Sequence, residues 1–91
     1  MRAKVTKIDE KPSYRGGTFF WVFFKTDEGR SAKTCIYPQY GNAKRWLPEI
    51  PKWRAALKDG REVWLDGLCL RGNLIDADSQ FSVLKEPRVA A

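Results

Sequence analysis

Histidine is absent from the 91 residues of this chain. That removes the commonest general base and the commonest zinc ligand, which argues against a triad hydrolase and a conventional zinc site. Cysteine is scarce. Cys35 and Cys69 form no Cys-x-x-Cys pair, so neither a thioredoxin-type motif nor a disulfide framework is expected. The longest apolar run, Phe19 to Phe24, has six residues, far short of the roughly 20 that cross a bilayer. Nothing reads as a signal peptide, and cytoplasmic residence is the default expectation. No phosphate loop of the G-x-x-x-x-G-K type, internal repeat or low-complexity tract occurs. The expectation is therefore a non-catalytic protein without cofactor, metal or membrane.

What is present points to binding. A chain of this length is expected to form one domain over residues 1–91, with its core at about 3–85 and a loose tail at 86–91. With 43% apolar and 13% aromatic residues, it has enough material to fold without staples. The formal net charge is +6. The excess lies in the first two thirds, because the residues from Asp59 onward carry more acidic than basic groups. A polyanionic partner fits this distribution, and so does a basic protein without one.

Residues 3–9 alternate imperfectly and predict a strand. Residues 11–17 (KPSYRGG) predict a mobile loop. TFFWVFFKT, residues 18–26, predicts a strand rich in aromatic and β-branched side chains. Asp27, Glu28 and Gly29 predict a tight turn into a return strand over residues 30–37. After Pro38 the period changes. Asn42 is a candidate cap, Pro48 an interruption, Pro51 a first-turn residue and Gly60 a terminating glycine. Ile50, Trp53 and Leu57 mark one apolar helical face. Strands resume over residues 61–72, with Gly67 marking a bulge or bend, and over 80–84, where Phe81 and Val83 share a face.

The order strand, strand, strand, helix, strand, strand suits a small closed barrel. Together with DGREVWLDG, a turn followed by an alternating strand and a glycine, it resembles the OB-fold over about residues 3–85. The likeness is to single-stranded nucleic-acid-binding modules of the single-stranded DNA-binding protein and replication protein A type. It implies an all-β fold with one short helix: a five-stranded Greek-key barrel with the helix between strands 3 and 4. An SH3-like barrel is the rival, though it would not normally hold a helix of this length there.

TFFWVFFKT carries more apolar rings than one core can use, since successive strand side chains point to opposite faces. A lysine is rarely buried unpaired, so Lys33 should face outward with Cys35 and Tyr37, leaving Ala32, Thr34 and Ile36 inside. Phe20, Val22 and Phe24 are assigned to the core, and Phe19, Trp21 and Phe23 to the outside. Both sets are apolar, so the reverse assignment remains open. Outward rings need cover: other parts of the chain, a second subunit or protein partner, or stacked nucleobases. Aromatic rings beside cations suit single-stranded nucleic acid. The OB resemblance adds that oligonucleotides usually lie on the face of strands 2 and 3.

On this reading Phe19, Trp21, Phe23 and Tyr37 stack on bases of single-stranded DNA, or less favourably RNA, with little sequence preference. Lys33, Lys25, Arg30, Arg15 and Arg71 meet phosphates. Tyr14 and Arg15 stand in a glycine-bearing loop that can fold over the strand. Arg71 lies in the loop joining the last two strands, which in OB domains commonly borders the groove. Asp76 and Asp78 could hold a divalent ion, but a turn bonding its own backbone explains them as well. Trp46 and Trp53 are expected in the core, and Trp64 is unplaced. The alternative to nucleic-acid binding is a protein-interaction or oligomerisation module using the same face, with a possible homodimer.

Overall fold

The computed structural model describes residues 1–14 and 16–84. Arg15 and the expected loose tail at 86–91 lie outside the described residues. Among the described residues nine elements follow in order: β1 (Ala3–Pro12), β2 (Thr18–Thr26), β3 (Ser31–Ile36), α1 (Ala43–Trp46), α2 (Ile50–Lys58), β4 (Trp64–Asp66), β5 (Leu70–Arg71), β6 (Leu74–Ile75) and β7 (Ser82–Val83). The strands form one sheet in the order β5-β6-β3-β2-β1-β4-β7. Every neighbouring pair is antiparallel except β3 and β6. Three residues link β4 to β5, so chain connectivity draws the two flanks of the sheet together and the sheet curls like part of a barrel.

The hairpin turn at Asp27–Gly29 forms as its residues dictate. Gly29 adopts φ 87°, and its N–H donates to the Thr26 carbonyl at 2.9 Å. The 11–17 segment differs from expectation. β1 runs on to Pro12, opposite Thr18, and the Ser13 N–H donates to the Gly17 carbonyl at 3.1 Å. Pro12 is tolerated at the end of a strand whose other edge is unpaired there, where no N–H is required.

The helical stretch divides at Pro48. Asn42 does not cap α1: its backbone is itself helical and its side chain makes no capping bond, whereas a capping side chain needs an extended backbone. α2 ends as glycine placement predicts. Gly60 takes φ 76°, its N–H donates to the Leu57 carbonyl and the Arg61 N–H to that of Ala56, the paired bonds of a Schellman motif.

The core includes Ala3, Val5, Val22, Phe24, Ala32, Ile36, Leu65 and Ile75 from the strands, joined by Trp46, Trp53 and Phe81. Trp46 is fully buried. Its ring lies 4.5 Å from Phe81, 5.9 Å from Trp53 and 6.3 Å from Phe24, and its indole N–H donates to the Ala77 carbonyl at 2.8 Å. Truncating such a tryptophan costs about 3–5 kcal/mol, a large share of a small domain's stability.

The final strands are more broken than the sequence suggests. Residues 61–72 yield only β4 and β5, separated at Gly67. Residues 74–75, outside both of the expected strands, form β6 against β3. Phe81 is buried, while Val83, paired with Leu65 on the sheet's edge strand, remains 45% exposed.

Candidate nucleic-acid interface

Strand register arranges the outer face of the sheet as a grid. Val22 and Phe24 are buried, so Phe19, Trp21, Phe23 and Lys25 point the other way along β2. Lys33 is exposed between buried Ala32 and Thr34, which sets the same outward parity on β3. In one row, Phe19 meets Lys11 of β1 and stacks on Tyr37 with centroids 5.0 Å apart and planes at 22°. In the next, Trp21 lies between Asp9 and Cys35. In the third, Phe23 lies between Lys7 and Lys33, and register continues through Leu74 to Arg71.

Phe19, Trp21, Phe23 and Tyr37 are all half-buried, so each keeps part of its surface in water. Phe19 and Trp21 meet edge-on at 6.3 Å. Tyr40, 56% exposed, extends the cluster by an edge contact with Tyr37 at 5.8 Å. Ammonium groups are set over two of the rings: Lys33 Nζ is 4.9 Å from the Trp21 centroid and Lys7 Nζ 5.6 Å from that of Phe23. On the opposite face, α2 clamps the same hairpin. Arg54 lies 5.6 Å from the Phe20 ring and pairs with Glu10 at 3.3 Å.

Two recesses flank the row. One, of about 380 Å³, is lined by Pro12, Ser13, Tyr14, Phe19 and Tyr37. The other, of about 480 Å³, is lined by Phe23, Arg30, Ser31, Ala32, Lys33 and Asn73. The structure thus brings Phe19, Trp21, Phe23, Tyr37 and Lys33 into one patch, with Tyr14 at one end and Arg30 at the other. Lys25 occupies the next row. Arg71 shares the face at its far side but is paired with Asp76 at 3.4 Å. Arg15 lies outside the described residues.

Lys25, Arg30 and Lys33 have no ion-pair partner among the described residues. Lys7 pairs with Asp9 at 3.4 Å. Burial pushes the Cys35 thiol above its usual range against the lowering influence of Tyr37. Interaction with Cys35 is the chief reason the Tyr37 hydroxyl is raised in turn. Both groups therefore stay neutral near pH 7, and the charge of the patch comes from its lysines, Arg30 and Asp9.

Comparison with family models, curated proteins and solved structures found no match. What this face can do is therefore read from its own geometry.

Lys7, Tyr40 and Leu74 are members of the patch that the sequence did not reveal. The signal for Lys7 was hidden by the register shift between Val5 and Lys7. A regular strand would put Lys4 and Lys7 on opposite faces, whereas the extra residue, Thr6, turns both outward. Asp76 behaves as a turn residue: its Oδ1 accepts from the Asp78 N–H at 2.9 Å. No group of three or more Cys, Asp or Glu that could hold a metal ion occurs among the described residues. No helix of the described residues is long and apolar enough to cross a membrane.

Proposed function

We propose that the outer face of β1, β2 and β3 binds single-stranded nucleic acid without catalysis, DNA in preference to RNA and with little sequence preference. The observation that carries this reading is the row of partly buried rings, two of them with lysine ammonium groups set over them. Single strands offer unpaired π-faces, and every base has one. The exposed Lys33–Trp21 contact is worth about 0.5–1 kcal/mol. A stacked base contributes about 1–3 kcal/mol, so an incoming base displaces the ammonium towards its own phosphate.

The curled sheet is in turn proposed to be a five-stranded OB barrel, with β4 and β5 as one bent strand and β6 and β7 as another. The antiparallel β1–β4 pair, the parallel β3–β6 pair and the helix before β4 support that reading. A reducing, cytoplasmic setting suits the two free thiols, Cys35 and Cys69.

A titration with labelled single- and double-stranded DNA and RNA oligonucleotides, each at two salt concentrations, tests the function. Single strands should bind with tryptophan quenching. Log affinity should fall against log salt with a slope of about −0.7 per phosphate neutralised. Preference for duplex, or a flat salt response, would contradict it. A second reading is favoured by the exposed Tyr40 and Leu74: the same face joins another protein or a second copy. Concentration-dependent dimerisation without oligonucleotide binding would establish that reading instead.

A further inference from the structure

Three of the four tryptophans have a structural or proposed role: Trp46 and Trp53 are buried and Trp21 lies in the aromatic row. The fourth, Trp64, is half-buried on the outward side of β4, between the core residues Val63 and Leu65. Register ties it to the same face. Ser31, Lys25, Lys4 and Trp64 form one row across β3, β2, β1 and β4, adjacent to the row holding Phe23. The bulge at Thr6 is what lets Lys4 and Lys7 stand on one side.

Trp64 is also held in place. Its indole N–H donates to Glu62 Oε1 at 3.2 Å, and Glu62 Oε2 accepts from Lys4 Nζ at 3.1 Å. The same ammonium lies 6.0 Å from the Trp64 ring centroid. The Trp64 hydrogen bond, followed by Lys4, holds the Glu62 carboxyl below its usual range, so the tether is ionised near pH 7. As at Trp21, a lysine ammonium accompanies the ring, here at 6.0 Å and paired with Glu62 rather than at 4.9 Å. Between the two stations stand Lys7 and Lys25, and Lys25 has no acidic partner among the described residues.

We infer that Trp64 is a second stacking station, and that a bound single strand continues from the Phe19–Phe23 row across Lys25 and Lys4 onto β4. This rests on the proposed nucleic-acid reading and extends its footprint. Two strand spacings across and two residues along put Phe23 and Trp64 roughly 12 Å apart. At about 3.4 Å per stacked nucleotide that is roughly three or four nucleotides, fewer if the strand is extended. Only a ligand long enough to cover the gap can use both stations.

Affinity as a function of length tests this, using labelled oligothymidylates from roughly two nucleotides, too short to bridge the gap, to about sixteen, the upper site size for such barrels. Wild type, Trp64→Ala, Trp64→Phe and Trp21→Ala are compared, with thermal melts confirming that each variant folds. Trp21→Ala should weaken binding at every length. Trp64→Ala should leave the shortest ligand unaffected and weaken the longest on the order of tenfold, with Trp64→Phe retaining most of the affinity. Lys4→Gln should reduce the salt slope for the long ligand only. If Trp21→Ala weakens binding but Trp64→Ala changes no length, or all lengths equally, the extension is wrong while the aromatic row stands. If no oligonucleotide binds the wild type, both are wrong.

Discussion

Trp21 stands between opposite charges, with Asp9 across the pair on β1 and the Lys33 ammonium 4.9 Å from its ring. Trp21 keeps part of its surface in water on the outer face, while Trp46, Trp53 and Phe81 lie in the core. Glu62 is a different kind of residue: it does not face the aromatic row but fixes Trp64 and Lys4. Its carboxyl is lowered in the folded chain, so its contribution to stability is present above the unfolded carboxyl's pKa and is lost as pH falls through the lower folded value. Thermal melts from neutral pH down through the acidic range should therefore show wild type losing an increment that Glu62→Gln never had. Parallel curves for the two proteins would contradict this. Glutamine keeps an acceptor for the indole N–H, so the comparison isolates the charge.

At the scale of elements, the bend between β4 and β5 depends on Gly67. Its φ is 90°, and a Cβ there would meet the Gln80 carbonyl oxygen at 2.7 Å. Gly67→Ala should cost about 1–3 kcal/mol through strain at this backbone angle, with further loss from the clash. For a domain of this size each kcal/mol lowers Tm by about 4–8 °C. An unchanged melt would mean that the bend is not constrained as described. This glycine was legible in the sequence, as were β2, the Asp27–Gly29 turn and the end of α2, because each rests on local chemistry: aromatic strand formers, positive φ and helix termination. The inward set Ala32, Thr34 and Ile36 was legible from the exposed position of one lysine. The length of β1, the division of the last two strands and the place of Lys7 were not. Those depend on long-range pairing and on one bulged residue, neither of which leaves a local mark. Trp64 could not be placed for the same reason: its alternation is visible, but its row partners Lys4 and Lys25 are fixed only when β1 pairs with both β2 and β4.

Over the whole molecule, one hairpin serves two purposes. Its inner face is closed by the core and by Arg54 of α2. Its outer face carries rings, recesses and cations without an ion-pair partner among the described residues. The acidic groups near this face are mostly engaged with cations of their own, as in the Lys7–Asp9, Arg71–Asp76 and Lys4–Glu62 pairs. Exposed pairs of this type are worth at most about 1 kcal/mol each, so phosphates can compete for the lysines and Arg71. On the proposed nucleic-acid reading, affinity should be salt-sensitive and tolerant of sequence, since neither stacking nor phosphate neutralisation reads base edges.

The most direct test is the dissociation constant of a single-stranded DNA oligonucleotide for wild type and Trp21→Ala, measured side by side with thermal melts. Nucleic-acid binding through this face predicts that the variant melts close to wild type and loses about 1–3 kcal/mol of binding free energy. Equal affinity in two equally folded proteins would show that the aromatic row is not where the strand lies.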